Sequence, residues 1–338
     1  MVDTSWLGKL KGSAGEAKGR LADDAAQRSA AAKEKHSIIL NQNEVLTGNW
    51  DAHKVLFTTL GGKLRTITSD DLTAFRRNIQ TAQANFTKGI TAKQVIELSL
   101  HADRMASTEE IHMAVPVSAT NGTVRYITNS GPNSKVTRHH VTVQFLNYMA
   151  EASSGAGGAR KSAQRLRLAP LKFDCDCERH RYWFRYITTI GGFNAGRAET
   201  GYPKIRNPNL YGVGCKHVLR VMADIRSGGA TLAFLTRLLK KGKAADNAKA
   251  AVRQAQSEAE KVAANQEKRK SAKELNAIRK AVNNATKPKN LSARSRQVKR
   301  SPDPEEAIRV NMRAMGIKDE RQIESMIQLM RTQAQADK

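Results

Sequence analysis

The chain has 338 residues, with 57 Lys and Arg against 31 Asp and Glu and a formal charge of +26. That length supports two compact units plus extensions, and that charge asks for an acidic partner such as nucleic acid or an acidic protein. An aromatic content of 5% argues against gripping single strands by base stacking, and the absence of any run near 20 apolar residues argues against a membrane span.

Residues 1–36 are rich in Ala, Gly and Lys and offer almost no apolar face, Leu21 standing nearly alone. They read as an exposed or disordered arm, or as a helix that a partner orders. No signal-peptide run opens the chain, so export is not expected. Residues 37–106 read as helical: Ser69-Asp-Asp caps a helix through Gln80 with Leu72, Phe75 and Ile79 on one face. Thr91 and Gln94 form a capping box for a second helix carrying Val95, Ile96, Leu98 and Met105.

Residues 107–150 change to alternating β-branched patterns, and Asn121-Gly122 is a hairpin signal between Val117 and Val124. The expectation is an antiparallel meander. His139 and His140 are adjacent on a strand and point to opposite faces, so one is a surface position and the other a satisfied internal one. Residues 151–164 read as a flexible, basic linker. Lys161-Ser162 resembles the end of a phosphate loop, but Arg160 stands where that loop needs glycine, so the match fails.

Every cysteine lies between Phe173 and Met222: Cys175 and Cys177, then 37 intervening residues, then Cys215 followed by His217. Three thiols cannot all pair, and Cys175 and Cys177 are too close in sequence to bridge without strain. No base and orienting group mark a catalytic thiol. Inert reduced cysteines are the bland alternative. Three Cys and one His form a common donor set for a single structural zinc ion, which is the preferred reading. Clustered, scarce cysteines also fit a reducing, cytoplasmic compartment. Arg181 to Ile187 is aromatic and β-favouring and reads as a strand. Gly212 and Gly214 permit a tight turn, and His217 opens a helix that ends at Gly228-Gly229.

A C-x-C…C-x-H pattern in a ββα setting resembles the SWIM-type zinc finger over roughly residues 166–225. That resemblance implies ligands at Cys175, Cys177, Cys215 and His217, and nucleic-acid or protein binding rather than catalysis. His180 competes as fourth ligand, but His217 shares a short turn with Cys215 and begins a helix. The insert between ligand pairs is longer than that family carries; its Gly191 to Asn209 stretch reads as a displayed loop.

The zinc-binding domain is expected over 165–240 and closes with an apolar helix from Thr231 to Leu239. Residues 241–300 read as a basic helical extension. Lys240 to Arg300 holds 18 Lys and Arg against five Asp and Glu, half of the net charge. Candidate phosphate contacts there are Lys240, Lys241, Lys243, Lys268, Arg269, Lys270, Arg279 and Lys280. Residues 301–338 read as a helical hairpin holding four of the nine methionines, an adaptable docking surface.

The expected class is α+β, without an enzymatic site. Two functions follow. One is a zinc-binding structural or assembly protein, oligomeric, docking through helices onto neighbouring subunits of a larger particle. The make-up of the whole chain resembles structural proteins of tailed-phage virions, a likeness carried by no single motif. The other is a SWIM-type protein that binds DNA or RNA through the 240–300 segment. Neither involves a membrane.

Overall fold

Asn121 and Gly122 set the centre of the molecule. Both take left-handed φ, 48° and 84°, the backbone that a two-residue hairpin between twisted strands requires. The computed structural model describes residues 5–33, 39–49, 54, 56–86, 89–132, 134–154, 157–268 and 324. It divides into a body, Met1–Glu274, and a second unit, Leu275–Lys338, of which Glu324 alone is described. The 269–300 part of the basic extension and the C-terminal hairpin therefore lie outside the described residues.

The body begins with α1 (Ser5–Lys33), α2 (Gln42–Thr47) and a two-stranded ribbon, β1 (Phe57–Thr58) and β2 (Arg65–Thr66). Helices α3 (Ser69–Asn85), α4 (Ala92–Leu98) and α5 (His101–Glu109) follow. The cap of α3 is Thr68, one residue before the expected Ser69, and the Thr91–Gln94 capping box forms as read. The expected second helix breaks at Ser99, whose hydroxyl donates to the Val95 carbonyl at 2.7 Å. Strands β3 (Ala114–Thr120), β4 (Thr123–Asn129) and β5 (Arg138–Phe145) make the meander. Then come α6 (Tyr148–Ser153), α7 (Ala159–Leu166), β6 (Leu171–Cys175), a π-helical turn (His180–Phe184) and α8 (Arg185–Ile190). Helices α9 (Lys216–Ser227) and α10 (Gly229–Lys243), strand β7 (Ala251–Arg253) and helix α11 (256–268) complete the body.

The large sheet has the order β6-β5-β4-β3-β7, and every neighbouring pair is antiparallel. Its two faces carry different cores. Ala114, Val124, Tyr126, Val141, Val143 and Phe145 join the main core with α9 and α10, while Met113, Val115 and Ile127 meet Ala259 and Ala263 of α11. A register shift between Pro116 and Ser118 returns Ala119 to the main face. A second cluster holds Leu72, Phe75 and Ile79 of α3 with Tyr186 and Tyr202.

The α+β class holds, and five local expectations do not. Residues 181–187 are helical, not a strand. That segment is wedged between the two clusters, Phe184 and Ile187 entering one and Tyr186 the other, and burial on several sides overrides β propensity. Without that strand, the metal-ligand unit pairs β6 with β5 and sets α9 against β4, β5 and β6. The 151–164 linker is largely α6 and α7, because Ala152, Ser162 and Ala163 are small enough to pack against α10. Residues 251–253 leave the expected helical extension to cover the edge of β3, with Val252 opposite Ala119. The 191–209 loop is folded in: Phe193 and Tyr202 are buried, and Asn41 bridges Gly201.

The N-terminal arm is likewise a docked helix. Its contact face is small and polar: Ser13, Ala17 and Asp24 are buried. Ser13 meets His140 Nε2 at 3.2 Å, Asp24 accepts from the Tyr182 hydroxyl at 2.9 Å, and Arg28 pairs with Glu199 at 2.7 Å.

Arg65 binds Asp71 through both carboxylate oxygens, at 2.6 and 2.7 Å. That hydrogen bond, with those from Thr68, holds the Asp71 carboxyl at about 2, below its usual 3.8. The sign follows: the carboxylate stabilises the fold above its usual pKa, and the contribution is lost as pH falls through about 2. Asp71→Asn should therefore lower the melting temperature at neutral pH, and the gap from the parent should close near pH 2 in a thermal-melt series.

Candidate metal centre

Strand β6 ends at Cys175, opposite Val141 of β5. Cys177 lies two residues on, where the chain turns into the helical 180–190 segment, and its Sγ accepts the His180 backbone N–H at 3.3 Å. Cys215 is the N-cap of α9, and His217 sits in that helix's first turn. Two of the three sulphurs thus stand at helix N-termini, where the positive end of the peptide dipoles favours thiolate. Gly212 makes the approach possible: its φ is 72°, and a Cβ there would press on Leu100 and Phe184.

Cys175, Cys177, Cys215 and His217 converge so that one donor atom from each lies within 4.8 Å of every other. All four are buried, at 1%, 4%, 0% and 3% exposure, and the thiols are free. His217 Nδ1 is 4.0 Å from Cys215 Sγ, while its Nε2 is buried without a hydrogen-bond partner.

The group fits a metal ion on chemical grounds. Burial, reinforced by the neighbouring thiols, pushes Cys175 well above the usual thiol range. Burial opposes the Cys215 thiolate too, but hydrogen bonds from Cys175 and Cys177 outweigh it and hold Cys215 well below that range. Three packed sulphurs without a cation therefore share protons rather than ionise together. A dication lets all three ionise and gives a buried imidazole nitrogen a partner. Burial also lowers the His217 pKa, which keeps the ring in the neutral, ligating form.

The surroundings hold the donors in place. His139 shares the inward face of β5 with Val141 and Val143, its ring 4.2 Å from that of His217. Its Nδ1 lies 2.9 Å from Asp176 Oδ1, which also accepts the His140 N–H at 3.0 Å. Arg179 stacks on Trp183 at 3.9 Å and binds both oxygens of Asp103 on α5, at 3.0 and 2.8 Å. The sequence reading identified neither Asp176 nor the His139–His217 contact. Strand parity could have placed His139 on the inward face, since residue 139 has the same parity as inward-facing Val141, but not against His217.

His180 stays outside the group. It is fully buried against Phe173, with Nε2 3.2 Å from Asp174 Oδ1 but not aligned for a hydrogen bond. The candidate phosphate contacts do not form one constellation among the described residues. Lys240 and Lys241 are exposed at the end of α10, whereas Lys243 donates to the Ser154 carbonyl. Lys268 is exposed at the end of α11, and Arg269, Lys270, Arg279 and Lys280 lie outside the described residues.

No protein-family model, no curated protein and no solved structure matches this chain. Among the described residues, no helix is long and apolar enough to cross a membrane.

His217→Ala and Cys215→Ser should each abolish stoichiometric metal retention and lower the melting temperature. His180→Ala should keep the metal. Metal analysis of the three purified variants checks this; retention by His217→Ala with loss from His180→Ala would reassign the fourth ligand.

Proposed function

We propose that the Cys₃His group holds one zinc ion as a structural, SWIM-type staple, and that the chain is a non-enzymatic assembly protein docking onto neighbouring subunits of a larger particle. The observation that carries the reading is closure. Four protein donors, each at most 4% exposed, are as many as a tetrahedral zinc takes, so the set would leave no position for water or substrate, as structural zinc sites do and catalytic ones do not. Soft sulphur with one imidazole selects zinc over the hard divalent cations. The staple would lock the edge of the sheet to α9.

Docking is supported by apolar side chains that the body leaves in solvent, Leu64, Leu168 and Tyr211 being the most exposed. A virion is the particle that the chain's overall make-up suggests. A second reading, nucleic-acid binding, has one observation in its favour: Lys240 and Lys241 project from the start of the segment that carries half of the net charge.

Purification from the native source with and without nuclease separates the two readings. The proposal expects partner proteins at fixed stoichiometry that nuclease does not release, with about one zinc per chain. Partners lost on nuclease treatment, with binding that falls steeply with salt, would overturn it in favour of the second.

A further inference from the structure

Helix α1 and the loop over 197–206 enclose a groove that the metal centre does not use. One part, about 260 Å³, is floored by Leu40, Tyr186 and Tyr202. It continues past Arg28 and Gly201 into a second hollow of about 350 Å³, beside Asn41, Arg197 and Thr200. We propose that this groove binds an extended acidic peptide segment, with one apolar side chain seated on the tyrosine floor and carboxylates on the basic rim.

Charge complementarity commits the occupant. Of the cations along the groove, Arg28 is satisfied by Glu199 at 2.7 Å and Arg181 by Asp24 at 3.4 Å. The same Glu199 oxygen also accepts the Gly201 N–H at 2.8 Å. Arg197, Lys204 and Arg206 have no carboxylate partner among the described residues. Lys204 is only partly exposed, and burial lowers its pKa; a carboxylate would offset that desolvation. The Tyr186 hydroxyl, on the floor, is buried with no hydrogen-bond partner among the described residues. Ile205 leaves apolar surface on the rim, 37% exposed.

Chemistry disfavours a free nucleotide. The hollow over the tyrosines, about 260 Å³, is large enough for one anchoring side chain. Its floor is the side chains of Leu40, Tyr186 and Tyr202, with no glycine-rich run of amides to cradle phosphate. Two hollows in line suit a chain that passes from one to the other.

The site gives the assembly reading a partner chemistry and rests on that reading only for whose peptide it is. The test uses the full-length, zinc-loaded chain and a fluorescein-labelled peptide of Asp and Glu around a central leucine, read by fluorescence polarisation. Lys204→Glu/Arg206→Glu should weaken binding by about tenfold or more, and replacing the central leucine by alanine should weaken it as well. Lys93→Glu/Lys249→Glu, an equal change of charge far from the groove in sequence, should change binding by no more than about twofold. Arg197→Glu serves as a second probe if the double variant loses zinc or secondary structure. Equal weakening by both double variants means attraction to net charge alone and overturns the proposal. So does absence of peptide binding, or tighter binding of single-stranded DNA that the groove variants abolish. Failure here would leave the zinc staple and the subunit pull-down standing.

Discussion

Three sulphurs packed out of water can ionise together only if a cation balances their charge, and the body brings them and one imidazole to a single point. Cys175 closes the edge strand, Cys177 turns the chain into the helical 180–190 segment, and Cys215 caps α9. Each ligand thus ends or begins an element, so holding the four together fixes the mutual placement of strand, helix and helix. Burying unpaired thiolates or a partnerless imidazole would each cost on the order of several kcal/mol, whereas a shared dication turns the same donors into a cross-link.

Around this point the molecule uses charge where a typical core uses carbon. Arg185 binds Asp174 at 2.9 Å beside Cys175, and Arg179 reaches Asp103 of α5. Asp176, between two cysteines, meets His139 and Arg20. Such pairs add little net stability against an apolar alternative, because desolvation offsets attraction. Their effect is on geometry: a partner removed leaves a buried charge, so each pair penalises displacement of the segment that carries it. Helix α1 is the extreme case, held to the body largely by polar contacts along one face.

The sequence was legible where a local rule is sufficient. Asn121-Gly122 has one cheap backbone solution, the Thr91–Gln94 box satisfies helix-start donors within four residues, and the cysteine spacing restricts the chemistry to few options. It was opaque where the deciding partner is distant. Residues 181–187 have strand composition, but two cores meet across them. Residues 151–164 have linker composition, yet small side chains at Ala152, Ser162 and Ala163 are what close packing on α10 needs. Leu21 alone could not reveal that α1 docks, because the partners of that helix are polar residues over a hundred positions away. His139 shows the same limit: its strand parity was readable, but its contact with His217 depends on where α9 lies.

The account therefore stands on a closed Cys₃His ion, and X-ray absorption at the zinc edge of the purified full-length chain tests it most directly. The account predicts one zinc with three sulphur neighbours at about 2.3 Å and one nitrogen at about 2.0 Å, and no exchangeable oxygen. A purified, folded chain without zinc, or a zinc shell containing water or fewer than three sulphurs, would contradict it.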